Sequence, residues 1–155
     1  MKLKIISVGH KMPSWVEAAC VEYTKRMPRE LSVDIMEIKP DKRSDGKKNP
    51  AVQAAEAERI LKAAQKDYLI ACDENGQEKT TLALATMMTS WQTMGRDVSI
   101  VVGGADGLDP SLIQQADFCW SLSKLTLPHA FVRVLLTEQL YRAYTVIKNH
   151  PYHRE

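Results

Sequence analysis

Two short loops in the second half of the chain carry the residues best suited to bind a ligand. Residues 103–107 (Gly-Gly-Ala-Asp-Gly) follow an apolar run at 99–102, and residues 121–129 (Ser-Leu-Ser-Lys-Leu-Thr-Leu-Pro-His) follow a second run at 118–120. Loops with so few charged side chains can surround a flat, partly apolar ligand with main-chain donors and acceptors. In open α/β sheets, ligands bind outside the carboxyl ends of the strands, where both loops are expected. The pattern therefore predicts one cleft lined by both loops.

The second loop suits an adenine ring. Its leucines alternate with small polar residues, and Pro128 presets the backbone before a helix. An adenine ring needs an apolar slot and a few backbone N–H and C=O groups, which such a loop can supply. Each loop also has a plainer interpretation. The glycines of the first favour a tight turn with positive φ, and the second is also typical of an ordinary strand-to-helix connection.

The last helix and the tail carry further polar residues that need an explanation. Glu138 and Arg142 are spaced i,i+4 with the acid first, which is typical of an ion pair on a helix surface. The tail holds an aromatic ring, an imidazole and a guanidinium in succession: Tyr152, His153 and Arg154. Chain ends commonly fray. These three groups can instead stack on a nucleobase and neutralise a phosphate.

Several familiar chemistries lack their motifs. The first apolar run is followed by Gly-His-Lys-Met-Pro, not by the glycine pattern of a dinucleotide fold, and no Walker A sequence occurs. No Ser-His-Asp order, no H-E-x-x-H motif and no paired carboxylates near a glycine turn stand out. The three cysteines, Cys20, Cys72 and Cys119, are far apart within apolar sequence. They predict free thiols in a reducing compartment, with no metal site and no disulfide framework.

Composition and charge predict one globular, cytoplasmic domain. The chain has 155 residues and a net charge of only +2, which is too little to indicate nucleic-acid binding. The distribution is more informative, because residues 39–48 hold five basic and two acidic side chains and residues 133–155 hold four and two. A one-sided basic surface favours phosphate backbones, although solvated surfaces explain the pattern equally well. No window resembles a signal peptide or a membrane span.

Hydrophobic periodicity predicts alternating strands and helices. Strands are expected at residues 3–8, 32–38, 68–72, 98–102 and 118–122, and helices at 14–27, 51–66, 82–94, 110–116 and 130–148. Asp109 is a predicted N-cap and Gly95 a predicted helix stop. Residues 40–50 are rich in turn formers and charges and are expected to form a mobile loop, and residues 73–76 to turn the chain. Strands that are apolar on both faces favour a parallel sheet covered by helices on both sides.

With these motifs in view, the chain resembles the small, single-domain SPOUT-class methyltransferases that modify N3 of a pseudouridine in large-subunit ribosomal RNA. The resemblance rests on the glycine loop with its following leucine at 103–108, the Leu-Thr-Leu-Pro-His run at 125–129, and the end Tyr-His-Arg-Glu at 152–155. It covers the whole chain and is least diagnostic over residues 40–57.

The resemblance implies a fold and a cofactor. The fold would be one domain over residues 1–155, an α/β sheet with helices on both faces and a C-terminal deep trefoil knot, which is an exception to unknotted topology. The chain would form a homodimer through the knotted region. S-adenosyl-L-methionine would bind at Cys72, Gly103, Gly104, Leu122, Ser123, Lys124, Leu125, Thr126 and Leu127. Cys72 stands where relatives often have a leucine, so an apolar or main-chain contact is expected there.

The resemblance also implies a substrate and roles for the tail. Tyr152, His153 and Arg154 would bind and deprotonate the nucleobase. His129 and Arg142 would line the same opening as substrate-binding residues, holding either an RNA phosphate or the cofactor carboxylate. Because the chain lacks an obvious RNA-binding module, we expect it to recognise the assembled ribosome. Two other functions are weighed. One is a non-catalytic, ribosome-associated factor with a retained nucleotide pocket, and the other is an enzyme that uses residues 103–107 to bind the phosphates of NAD or ATP.

Overall fold

A computed structural model describes residues 1–9, 11–42 and 49–153 of the chain. Within these residues five strands and five α-helices alternate along the chain, with a short 3-10 helix at Arg29–Leu31 before the second strand. The strands are β1 (Lys2–Val8), β2 (Ser32–Ile38), β3 (Tyr68–Glu78), β4 (Val98–Val102) and β5 (Phe118–Ser121). The helices are α1 (Ser14–Thr24), α2 (Pro50–Ala64), α3 (Thr81–Thr93), α4 (Pro110–Gln115) and α5 (His129–Ile147).

The strands form one parallel sheet in the order β2-β1-β4-β3-β5. Helices α3 and α5 cover one face through a core that includes Leu3, Ile5 and Ile100, and α1 packs beside α5. Helices α2 and α4 cover the other face, against a core that includes Ile6 and Val101. The predicted α/β class, with a parallel sheet between two helical layers, is confirmed. The trefoil knot stays a prediction.

Local sequence signals explain where several helices begin and end. The side chain of Asn49 accepts a hydrogen bond from the Ala51 backbone and caps α2, whose first residue is Pro50. Asp109 caps α4 in the same way, as predicted. Gly95 follows α3 with φ of +70°, a conformation that favours glycine at the end of a helix.

Strand β3 is longer than the sequence predicts. The predicted strand ends at Cys72, but β3 continues to Glu78 and pairs with β5 on both sides of an irregularity between Cys72 and Gln77. A Cβ atom on Gly76 would lie 2.7 Å from the backbone of Cys119 and of Trp120. The predicted turn is therefore part of the extended strand, because Gly76 allows it to pass close to β5.

Helix α5 runs from the carboxyl edge of the sheet to the amino edge. Its first residue, His129, contacts Ser7 near the end of β1. Farther along, Tyr141 packs against Tyr23 at the end of α1, where the chain has returned to begin β2. The 19 residues of α5 therefore connect two opposite ends of the molecule.

Residues 43–48, which make up most of the predicted mobile loop and of its basic run, lie outside the described residues. No helix in the described part of the chain has both the length and the apolar character needed to cross a membrane.

Candidate functional site

The two ligand-binding loops predicted from the sequence meet at the carboxyl edge of the sheet. Strand β3 lies between β4 and β5. The loop at residues 103–107, after β4, and the loop at 122–128, after β5, therefore flank the end of β3. The fold brings together all the predicted cofactor-binding residues at this edge, including Cys72 on β3 itself. Whether they bind a cofactor stays a prediction.

The glycine loop is a closed turn that leaves no room for a side chain at Gly103. The backbone N–H of Gly107 donates to the carbonyl of Gly104 at 3.0 Å. A Cβ atom on Gly103 would lie 2.7 Å from the carbonyl carbon of Gly107. Gly107 itself has φ of +76°, which strains other residues. These glycines make the turn possible and leave its backbone open to a close-packed ligand.

The second loop holds its own shape and presents an apolar side chain. The Leu125 backbone N–H donates to Ser123 Oγ at 2.9 Å, and Ser121 Oγ donates to the Ser123 carbonyl at 3.2 Å. These bonds hold Leu125 outward, with 75% of its surface exposed. An apolar group displayed in this way at a sheet edge is suited to cover a flat ring.

A cavity of about 540 Å³ adjoins this loop between β5, α3 and α5. Its lining residues are Lys79, Thr80, Thr81, Leu82, Trp120, Leu122, Leu135 and Gln139. The volume lies in the range of small-molecule sites, and the mixture of leucine, tryptophan and a few polar groups is typical of them.

Cys72 is a neutral, apolar group in this setting. Burial raises the pKa of its thiol to about 12, and the neighbouring Cys119 acts in the same direction. All three cysteines are free thiols, as predicted. A protonated thiol offers a ligand the same kind of contact as an aliphatic side chain, which suits the predicted apolar contact at this position.

His129 connects the first turn of α5 to two strands. Its Nε2 lies 2.7 Å from Ser7 Oγ on β1. Burial lowers the pKa of the imidazole, and the nearby charge of Arg133 lowers it further, while a hydrogen bond with the Gly103 backbone opposes them. The ring is thus a neutral link between β1 and the glycine loop.

The described tail residues, Tyr152 and His153, pair with side chains near the far end of α5. Arg142 Nε and Nη2 donate to Glu138 Oε1 at 2.8 Å and 2.7 Å, which confirms the predicted ion pair. Tyr152 Oη donates to the same carboxylate at 3.1 Å, and the Arg142 guanidinium lies 4.9 Å from the Tyr152 ring centre. Burial, followed by Glu138, raises the pKa of Tyr152 to about 12. His153 Nδ1 lies 3.3 Å from Thr145 Oγ1, and Arg154 lies outside the described residues.

The fold does not bring all the predicted site residues together within one chain. His129 and Arg142 are thirteen positions apart on one helix, which separates them by about 20 Å along its axis. Tyr152 and His153 pack on the Arg142 end. The tail therefore lies at the end of α5 that packs against the end of α1, away from His129 and the glycine loop.

Two buried charged residues near the glycine loop were not assigned from the sequence. Glu56, on α2, is only 4% exposed, and its Oε1 lies 3.3 Å from where a Cβ of Gly104 would be. Burial raises its pKa, an effect that the Asp41 backbone N–H opposes and the nearby Asp106 reinforces. Arg133, one turn along α5 from His129, is 3% exposed. The sequence marked Arg133 only as a polar residue on the Arg142 side of the last helix. The burial of Arg133 and Glu56 near the loop was not predicted, because it depends on residues that are far apart along the chain.

An apolar surface remains uncovered where α1 and α5 meet. Trp15 and Phe131 are 51% and 54% exposed, and their ring centres are 5.8 Å apart in an edge-on arrangement. Val21, also on α1, is similarly exposed. Side chains of this kind on neighbouring helices are typical of an interaction surface. Among the residues described, no group of His, Cys, Asp and Glu side chains could hold a metal ion.

Comparisons with known proteins agree on the family. The family model described as "Predicted SPOUT methyltransferase" matches residues 1–153. The chain is 68% identical to the ribosomal RNA large subunit methyltransferase H of Methylobacillus flagellatus over 155 residues, which are 100% of both chains. It is 55% identical to the protein of the same name from Paraburkholderia xenovorans, with 99% of each covered.

Solved structures agree on the fold. A probable methylase family protein from Haemophilus influenzae Rd KW20 matches 99% of this chain and 70% of its own, with a TM-score of 0.57 and 13% identity. The tRNA (m1G37) methyltransferase of Aquifex aeolicus matches 100% of this chain and 76% of its own, with a TM-score of 0.55 and 14% identity. At these identities the likeness concerns the fold alone.

Proposed function

Because this chain belongs to the SPOUT methyltransferase family, we propose that it uses S-adenosyl-L-methionine to methylate N3 of a pseudouridine in large-subunit ribosomal RNA. The observation that carries the proposal is the full-length similarity to proteins named for methylating that RNA. The convergence of the glycine loop, the leucine loop and Cys72 at one sheet edge supports it. The position of the methylated atom rests on the resemblance described from the sequence.

The residues at the carboxyl edge fit this cofactor. The closed turn at 103–107 leaves its backbone accessible, and the exposed Leu125 and the neutral Cys72 provide apolar contacts for an adenine ring. Cys72, Gly103, Gly104 and residues 122–127 would hold the cofactor, whose sulfonium group supplies the methyl. Positioning of the methyl against the acceptor nitrogen would provide most of the rate.

The tail residues have the chemistry that the acceptor needs. N3 of a pseudouridine carries an imide proton between two carbonyls, and that proton must leave before or as the methyl arrives. His153 would accept or orient it, Arg154 would stabilise the resulting imidate charge, and Tyr152 would stack on or hydrogen-bond to the base. His129 and Arg142 would hold the substrate at the two ends of the site.

The complete site would need two chains. The tail packs at the Arg142 end of α5, about 20 Å along the helix axis from His129, and an uncovered apolar surface joins α1 to α5. A two-fold homodimer through Trp15, Val21 and Phe131 would cover this surface and run the two copies of α5 past each other. The tail of one subunit would then reach the loops of the other.

The natural substrate would be the assembled ribosome in the cytoplasm, recognised by one domain spanning residues 1–155. The net charge of +2 is small for a protein that must select free RNA. A preformed surface reduces that demand, because the RNA is already folded. The basic run at 39–48 would add salt-sensitive contacts to phosphates.

The direct test supplies the purified protein with labelled cofactor and either intact ribosomes or protein-free ribosomal RNA. We expect one methyl group on a pseudouridine of the large-subunit RNA, located by mass mapping, and far more transfer with ribosomes. Cofactor binding without any transfer would favour a non-catalytic factor. Preferential binding of NAD or ATP would instead favour a phosphate-binding enzyme.

Mixing of subunits tests the two-chain site. One variant lacks residues 152–155 and the other carries Gly103→Ala, and the cofactor is kept at a concentration that saturates only the wild-type loops, so each variant is expected to transfer little methyl alone. Co-expressed, they form mixed dimers in which the intact loops of one chain meet the intact tail of the other. Recovery of transfer in the mixed sample is the expected result, and no recovery despite mixed dimers would contradict a shared site.

A further inference from the structure

Arg133 is a buried cation whose hydrogen-bonding capacity is only partly used. It is 3% exposed, and its Nη1 lies 3.8 Å from Glu37 Oε1 on β2. Its Nε and Nη2 atoms are both buried and have no hydrogen-bond partner among the residues that the structure describes. Burying a charged donor without an acceptor is costly. Such a group therefore indicates an acceptor that comes from outside the described chain.

The two unpaired atoms form one recognition edge. Nε–H and Nη2–H of a guanidinium point in parallel, so one group with two oxygen atoms can accept both hydrogen bonds. A carboxylate or a phosphate has this geometry, whereas a single carbonyl does not. The edge of Arg133 therefore suits a bidentate oxyanion.

The edge lies beside Gly9 and next to His129, which bonds to the Gly103 backbone of the glycine loop. Arg133 Nη2 and His129 Nε2 are both 3.5 Å from the place where a Cβ of Gly9 would be. Ser7 pairs with Val102, so Gly9 and Gly104, each two residues farther along, follow on neighbouring strands. From this point β1 leads to β2 on one side, while β4 leads to β5 on the other. Such a crevice, where the direction of winding reverses, is where open α/β sheets bind ligands.

The charges around Arg133 narrow the choice of oxyanion. Arg133 lines a cavity of about 330 Å³ between α1 and β2. The other residues of this cavity are Met12, Val16, Glu17, Cys20, Val21, Thr24, Val33, Asp34, Ile35 and Glu37. Three carboxylates line the same cavity as this guanidinium, and Glu37 lies 3.8 Å from it, which disfavours a polyphosphate chain. They suit a ligand that carries an ammonium group close to its carboxylate, as the head of an α-amino acid does.

We propose that Arg133 binds the α-carboxylate at the methionine end of the cofactor, with Glu37 facing the neighbouring α-ammonium. This assignment rests on the proposed function, because it extends the cofactor site from the glycine loop to the crevice between β1 and β4. Arg133 is then a positioning residue. It fixes one end of the cofactor while the leucine loop holds the other, and so orients the sulfonium between them.

The test compares two ligands that differ only at the amino-acid end. S-adenosylhomocysteine carries the carboxylate and the ammonium, and 5′-methylthioadenosine keeps the nucleoside and the sulfur without them. In calorimetry, we expect the wild-type protein to prefer S-adenosylhomocysteine by about 10- to 100-fold, as for a charge-assisted bidentate contact. Arg133→Met is expected to abolish this preference and leave the affinity for 5′-methylthioadenosine unchanged.

The matched control is Arg96→Met, which removes a guanidinium that binds the Lys66 and Asp67 carbonyls at the amino edge and is expected to keep the wild-type preference. If Arg133→Met does not fold, Arg133→Lys keeps the charge but loses the parallel edge, and most of the preference is expected to disappear. A preference that survives in Arg133→Lys overturns the assignment.

Other outcomes separate the two proposals. Equal wild-type affinities for the two ligands overturn the role of Arg133 but leave the nucleoside site standing. Binding of neither ligand overturns the proposed function itself. Displacement of S-adenosylhomocysteine by millimolar inorganic phosphate, without displacement of 5′-methylthioadenosine, would identify a phosphate site and overturn the amino-acid assignment. Binding of free methionine without a preference between the nucleosides would overturn it too.

Discussion

The two ends of helix α5 carry similar polar residues, but they differ in whether those residues have hydrogen-bond partners. At the end near the tail, Arg142, Glu138 and Tyr152 satisfy one another through hydrogen bonds and a cation–π contact. At the end near the glycine loop, Arg133 keeps two buried donors unpaired. His129 makes hydrogen bonds with Ser7 and with the Gly103 backbone.

The cluster around Arg142 is preformed, whereas Arg133 still has two donors that a ligand could bind. A satisfied cluster needs nothing further to keep its geometry, so the tail end can present Tyr152 in a fixed position. The end with unpaired donors is completed only when a ligand arrives. Catalysis by the proposed mechanism needs both ends, and about 20 Å of helix lies between them.

Deletion of residues 152–155 is the most severe test of this separation. Methyl transfer is expected to fall by about 10³-fold or more, because proton removal and base positioning are lost together. Cofactor affinity, measured by calorimetry, is expected to stay within about twofold, since the residues assigned to the cofactor lie in the two loops and on β3, not in the tail. Unchanged transfer would remove the tail from the mechanism.

A charge on the apolar α1–α5 surface tests whether the two ends meet in a dimer. Phe131→Glu is expected to dissociate the dimer in sedimentation experiments, because a carboxylate would be buried there. Transfer is then expected to fall by about 100-fold, as each chain loses its partner's tail. The control is Met94→Glu, at an exposed position after α3. A wild-type chain that sediments as a monomer at micromolar concentration contradicts the arrangement.

A methyl group in the glycine loop should affect the ligand-binding end alone. The Cβ of Gly103→Ala would press on the Gly107 backbone at 2.7 Å. We expect cofactor affinity to fall by about 10- to 100-fold, in line with the cost of overpacking. Gly95→Ala is the matched control, because nothing lies within 4 Å of its Cβ and only its φ of +70° is strained. Equal losses of affinity in both variants would point to a general loss of stability.

The smallest expected effect concerns pH and His129. In the folded chain its pKa is lowered, first by burial and then by Arg133. The unfolded chain therefore binds more protons below about pH 6.5, so the free energy of unfolding is expected to fall as the pH drops below that value. His129→Asn should make this decline shallower. Urea unfolding at several pH values measures it, and identical slopes in both proteins would contradict the assignment.

The sequence was sufficient for those parts of the fold that depend on local pattern. Apolar runs predicted every strand, and capping residues such as Asp109 marked helix ends, because both signals act within a few residues. The loops at 103–107 and 122–128 could be placed together, since parallel strands share a carboxyl edge. The extension of β3 past Cys72 was missed, because it depends on how closely Gly76 approaches β5.

The buried charges and the split of the site could not be read from the sequence. Glu56 reaches Gly104 only because α2 packs on the sheet face beneath β1 and β4. The burial of Arg133 depends on α1 and β2 as well as on its own helix. His129 and Arg142 looked like neighbours in one mouth. The length of α5 places them at opposite edges, and a resemblance between motifs does not measure that distance.

The strand order also has a consequence for how the chain acquires its structure. β1 is synthesised well before β4, its inner neighbour, so Leu3 can pair with Val98 only after the intervening chain has been made. Closing so long a loop costs conformational entropy before the contacts between β1 and β4 form. Proteins dominated by such long-range pairings fold slowly. Until β4 has been synthesised, the side of β1 that pairs with it is exposed, and unpaired apolar strands of this kind tend to aggregate or bind chaperones.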